Sequence, residues 1–102
     1  MIKVVVSHQG QTLMLDIKGH ALFAPKGNDI VCAGVSTASI MTANLFEQVT
    51  QTTTILNEGQ LTITVHDYKE THHYIYHVFK KAIDDIIRAY PTHVIWKESE
   101  GA

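Results

Sequence analysis

Cys32 is the only cysteine among 102 residues, and His20 stands twelve positions before it. A thiol that gives up its proton can attack a peptide carbonyl, and imidazole is the side chain suited to take that proton near neutral pH. The segment leading into Cys32 reads Asn28-Asp29-Ile30-Val31-Cys32-Ala33. Aspartate is a favoured N-cap, so Asp29 predicts a helix with Ile30 at N1, Val31 at N2 and Cys32 at N3. A sulfur in a first helical turn lies among unpaired backbone N–H groups and at the positive end of the helix dipole. Both favour a negatively charged sulfur. A cysteine with no such context reads more often as a small buried hydrophobe, and a loop histidine as a solvated surface group. Together, in this arrangement, the two are a candidate nucleophile and base.

Other groups of chemical interest are weaker. His73 and His77 are spaced to share a helix face, with His72 and His66 nearby in sequence. No glutamate stands between them in the metalloprotease pattern, so the better reading is a solvated histidine cluster. No metal and no cofactor are expected. No glycine-rich phosphate loop occurs. The row Tyr74, Ile75, Val78, Phe79, Ala82, Ile83, Ile86, Ile87 and Tyr90 reads as core or dimer interface.

The elements that must position Cys32 and His20 follow from periodicity. Ile2, Val4 and Val6 alternate with Lys3, Val5 and Ser7, and Leu13, Leu15 and Ile17 alternate with Thr12, Met14 and Asp16. These are two strands of a hairpin across His8-Gln9-Gly10. Gly19 to Asn28 is a long loop holding His20, Pro25 and Gly27, and loops of that length are often functional. Asp29 to about Thr50 predicts the first helix, in which Gly34 costs about 1 kcal/mol of propensity. Thr50 to Thr54 favours extended structure and reads as either a short strand or a loop. After the turn Asn57-Glu58-Gly59, Leu61, Ile63 and Val65 give a half-buried strand. The second helix begins near Tyr74 and is stopped by Pro91. Thr92 to Trp96 is a last short strand, and Lys97 to Ala102 a frayed polar tail. The order strand-strand-helix-strand-helix-strand predicts an α+β fold, a mainly antiparallel sheet with two helices, in one domain spanning 1–102.

Composition narrows the function classes. A net charge of −2 argues against a broad basic face, so no direct nucleic acid binding is expected. One cysteine forms no internal disulfide, the alternating N-terminus lacks a signal-peptide core, and no run is expected to be long enough to span a membrane. The cytoplasm is the expected location.

Gly19-His20-Ala21, the loop with Pro25 and Gly27, and Asp29-Ile30-Val31-Cys32-Ala33 followed by Val35-Ser36 resemble the Prp (YsxB-like) family of bacterial ribosomal-processing cysteine proteases. The resemblance covers the chain in length and element order and is specific from Gly19 to Ser36. It implies a cysteine endopeptidase that removes the N-terminal extension of the large-subunit ribosomal protein L-twenty-seven, cutting after an aromatic residue and before a small one. It implies Cys32 as nucleophile and His20 as general base, with Gly19, Asp29 and Ser36 lining or shaping the site, and a homodimer. Leu22-Phe23 stands where many members have a glycine and an aromatic residue, which makes this loop stiffer and more apolar. Asp29 can serve as cap alone or also orient His20 or a substrate amide. Ser36, one turn after Cys32, can bond substrate or bond back to the Cys32 carbonyl. Backbone N–H groups around Cys32 can form an oxyanion hole. The loop Gly19 to Asn28 is expected to act as a lid hinged at Gly27, and the dimer face is expected on the second helix or an adjoining sheet edge. A non-catalytic ribosome-associated binding module is the alternative; it would tolerate loss of the Cys32 thiol, and a protease would not.

Overall fold

The computed structural model describes residues 1–100. Strand β1 (Ile2–Gln9) turns through Gly10 into β2 (Thr12–Lys18). Helix α1 (Ile30–Val49) follows the long loop, and then come the hairpin β3 (Thr52–Asn57) and β4 (Gln60–Val65). A short 3-10 turn, Glu70–His72, leads into helix α2 (His73–Ala89), and β5 (Val94–Glu100) ends the described chain. The five strands form one sheet in the order β3-β4-β2-β1-β5. Every neighbouring pair is antiparallel except β1 with β5.

The register explains the core. Val4 sits opposite Ile17 and Val6 opposite Leu15, and these continue to Leu61 and Ile63 of β4. With side chains alternating along each strand, these rows fall on one face. The two helices cover that face with Val31, Val35, Ala43 and Phe46 from α1 and Ile75, Phe79 and Ile83 from α2, all buried. Ser39 and Thr42 also point inward, and each hydroxyl donates to the carbonyl four residues back, to Val35 and Ala38, both at 2.7 Å. The helices meet at Gly34, where a Cβ would lie 3.5 Å from Ile86 Cδ1, an ordinary van der Waals contact.

The expected α+β class, antiparallel majority and two helices are all present. The stretch left open at Thr50 to Thr54 resolves into β3, an added strand in the order. β5 is longer than expected: Lys97 to Glu100 pair with Val5 to His8 and are not a frayed tail. Periodicity misses this because the inward position after Trp96 is Glu98, whose carboxylate accepts from Tyr76 Oη at 2.8 Å and Trp96 Nε1 at 3.3 Å. Those donors hold Glu98 below the usual carboxylate range, Tyr76 foremost, while burial and then this carboxylate push the Tyr76 phenol up. Residues 101 and 102 of the expected tail lie outside the described residues. The expectation that no run reaches membrane-spanning length is also corrected. α1 has 20 residues and is long and apolar enough by length and composition alone. Here its apolar face packs on the sheet.

Candidate active site

Asp29 is the N-cap of α1, with φ −88° and ψ 99°. Its Oδ1 accepts from the N–H groups of Val31 and Cys32, each at 3.0 Å. Cys32 therefore occupies the third helical position, as the cap chemistry predicts. Its half-buried side chain points back toward the loop, where the Ala21 N–H donates to Cys32 Sγ at 3.3 Å. Ala21 is only 2% exposed, which fixes the donor.

The other Asp29 oxygen, Oδ2, accepts from the Phe23 N–H at 3.1 Å. One carboxylate thus ties the loop to the helix that carries Cys32. The Cys32 N–H is the main cause holding its carboxyl below the usual 3.8, against the opposing effect of desolvation. The Phe23 ring packs edge-on against Tyr90 at 5.1 Å and His93 at 5.5 Å between centroids. The loop expected to act as a lid makes contacts at Ala21 and Phe23. Leu22, between them, has φ +58° and is 79% exposed. This is a left-handed backbone that glycine adopts more readily, at the position where the resemblance has glycine.

Gly19 is required by its surroundings. It has φ +98°, and a Cβ there would run into the Met1 carbonyl oxygen. Its N–H donates to the Gly59 carbonyl at 3.0 Å, joining the loop to the β3–β4 turn. Gly59 in turn leaves room for the exposed His20 ring: a Cβ there would lie 3.2 Å from Nε2.

Two clefts meet at the sulfur. One, of about 150 Å³, lies between α1 and the hairpin end and is walled by Ile2, Ile17, Val35, Leu56 and Leu61, with Cys32 and Ser36 also on its lining. The other, of about 380 Å³, runs under the loop and is lined by His20, Leu22, Asp29, Cys32 and Ser36 among others. Four expected residues, His20, Asp29, Cys32 and Ser36, are thus gathered around one opening, and Gly19 lines the first cleft. No hydrogen bond joins His20 to Cys32 among the described residues. Ser36 makes no bond back to the Cys32 carbonyl; its exposed hydroxyl is left for the cleft.

The expected oxyanion hole at the start of α1 needs correction. The Val31 and Cys32 N–H groups are already taken by Asp29 Oδ1, and the Ala33 N–H by the Asp29 carbonyl at 3.1 Å. The Ala21 N–H, which comes from the loop and not from α1, is the donor that faces the sulfur itself. Sequence reasoning missed that role because a backbone donor has no side-chain signature. It also missed Leu56, which comes from a strand it had not resolved, and Gly59, which it read only as part of a turn. Away from the cleft, His73 Nδ1 pairs with Tyr68 Oη at 2.9 Å, and the His73 and His77 rings stack at 6.3 Å. Among the described residues, no three His, Cys, Asp or Glu side chains converge as a metal site would require.

Known proteins are similar to this chain in sequence or in fold. A ribosomal processing cysteine protease Prp of Mycoplasma pneumoniae is 61% identical over 36 residues, which is 35% of this chain and 32% of that protein. The crystal structure of an essential ribosomal processing protease Prp from S. aureus, in complex with a covalently linked product peptide, matches the fold with a TM-score of 0.80. Identity is 22%, over 97% of this chain and 100% of that one. The same protease with a substrate peptide matches with a TM-score of 0.70 at 20% identity over the same shares. The family described as Cysteine protease Prp matches residues 1–95, and the chain belongs to that family.

Proposed function

We propose that this chain is a cysteine endopeptidase that removes the N-terminal extension of a large-subunit ribosomal protein of the L-twenty-seven type. Cys32 is the nucleophile and His20 the general base. The observation that carries the reading is the place of the sulfur: in the first turn of α1, facing the Ala21 N–H, where two clefts meet and one of them includes His20. His20 takes the Cys32 proton as the sulfur bonds to the scissile carbonyl carbon, and the π pair moves onto oxygen. Collapse breaks the C–N bond, and the imidazolium protonates the leaving amine. Water, losing its proton to His20, then releases the acyl group. The Ala21 N–H, freed as the sulfur becomes acylated, donates to the oxyanion. In the free chain His20 and Cys32 make no hydrogen bond, and bound peptide brings the ring into reach, as apo sites often require.

Subsites walled by Ile2, Ile17, Val35, Leu56 and Leu61 select by apolar contact and not by charge. Replacing the substrate aromatic by alanine therefore slows turnover; equal rates would count against this selection. The protein works in the cytoplasm as a homodimer, without a cofactor and without binding nucleic acid directly. The direct experiment is to incubate it with the extended ribosomal protein of the same genome and weigh the products. Two products that sum to the precursor plus water support the reading. An intact precursor that co-purifies with the protein supports a binding module.

A further inference from the structure

The two edges of the sheet differ in chemistry. β5 presents Lys97 and Glu98, and charges on an edge strand discourage further pairing. β3, at the opposite edge, reads Thr-Thr-Thr-Ile-Leu-Asn and carries no charge. The His66 N–H donates to the Gln51 carbonyl at 2.9 Å, which fixes the parity of the β3–β4 ladder. Bonded pairs recur at every second residue of an antiparallel pair. Thr53, Ile55 and Asn57, opposite Thr64, Thr62 and Gln60, therefore direct their main-chain groups to β4. Thr52, Thr54 and Leu56 direct theirs out of the sheet, and nothing among the described residues pairs with them.

Leu56 is also a wall of the cleft that reaches Cys32. The free edge thus begins where the cleft ends. Ile55 and Leu56 lie on opposite faces at that end, 53% and 68% exposed, and an added strand would cover both. We propose that β3 is the docking edge for one flank of the substrate, which leaves the cleft beside Leu56 and runs as a sixth strand along Thr54 and Thr52. The six residues of β3 offer roughly 20 Å of main chain, enough for about five or six residues of extended peptide. The occupant is substrate and not a second copy, because a copy laid on β3 would close that end of the groove. The flank that fits is uncharged, β-prone and free of proline. This inference rests on the endopeptidase reading.

The test is an N-methyl scan of a peptide spanning the extension junction of the ribosomal protein, cut by the wild-type chain. N-methylation at every second flank residue should lower kcat/KM about fivefold or more per lost hydrogen bond, with little effect at the residues between. On the protein side, Thr54→Pro removes one outward N–H without removing a β3–β4 hydrogen bond, and it should lower kcat/KM for the parent peptide similarly relative to Thr54→Val, which also loses the side-chain bond to Glu47 but keeps the N–H. A parent peptide that is cut while the scan is flat overturns the edge and leaves the endopeptidase reading standing. A parent peptide that is not cut overturns both. A change of sedimentation mass in Thr54→Pro would assign the edge to self-association and also overturn the proposal.

Discussion

Asp29 serves two elements with one carboxylate. Oδ1 closes the first turn of α1 on Val31 and Cys32, and Oδ2 holds Phe23 of the loop. Because its folded pKa lies below the ordinary 3.8, its ionised form stabilises the fold above that value. The contribution is lost as pH falls through the lowered folded value. Asp29→Asn keeps a good N-cap but loses the charge. Its urea midpoint should fall below wild type at pH 7, and the gap should narrow towards pH 3 in paired denaturation curves. An equal gap at both pH values would remove the carboxylate from this account. Cys32→Ser should stop cleavage while leaving circular dichroism and the urea midpoint close to wild type, since the swap is nearly isosteric. Asp29 and Cys32 were legible in the sequence because capping is a local rule, read within three residues. Ala21 was not, because any residue at that position would present the same N–H. The oxyanion donor proposed above has the same origin: Asp29 had to be seen accepting the Val31 and Cys32 N–H groups before they could be struck out.

The elements repeat this pattern at a larger scale. β1, β2, β4 and α2 were readable because their apolar residues follow one period and one face. β3 was not: its inward residues are Thr52, Thr54 and Leu56, and threonine serves a strand or a loop equally well in a sequence. Its fixing contacts are nonlocal, such as Thr54 Oγ1 donating to Glu47 at 2.6 Å and the ladder to β4. Glycines divide in the same way. Gly34 costs the helix propensity, and a Cβ 3.5 Å from Ile86 is ordinary contact. Gly34→Ala should therefore stabilise the protein by about 1 kcal/mol in urea titration. Gly19→Ala should destabilise by about 1–3 kcal/mol, because its backbone is left-handed and the Met1 carbonyl occupies the place of the Cβ. The sequence places one glycine in a helix and the other in a loop; the neighbouring chain decides what a Cβ would meet at each. Phe23 belongs here too. Its ring anchors the loop on Tyr90 and His93, at the junction of α2 and β5. Phe23→Ala should raise KM and lower kcat in peptide assays with the urea midpoint nearly unchanged, since the ring is partly exposed and outside the core.

At the scale of the whole molecule, the two helices leave an apolar strip on the side away from the sheet. Gly34 of α1 meets Ile86 of α2, so the start of one helix lies beside the end of the other. Helical spacing then carries the row Gly34, Ala38, Met41, Leu45 along the row Ile86, Ala82, Val78, Tyr74. Met41, Leu45, Tyr74 and Val78 are 61%, 47%, 59% and 62% exposed, so four large side chains stand in solvent along one seam. Such a strip on a small domain marks an interaction surface, and the proposed homodimer would bury it. Val78→Asp places a charge at its centre. Sedimentation velocity at micromolar concentration should then give a monomer for the variant and a dimer for wild type. Cys32 and Ser36 project from the opposite side of α1, towards the hairpin, so the monomeric variant should still cut peptide substrate. A wild-type mass that stays monomeric across that range would leave the strip without this partner. A monomeric variant that no longer cuts would mean that the dimer completes the site.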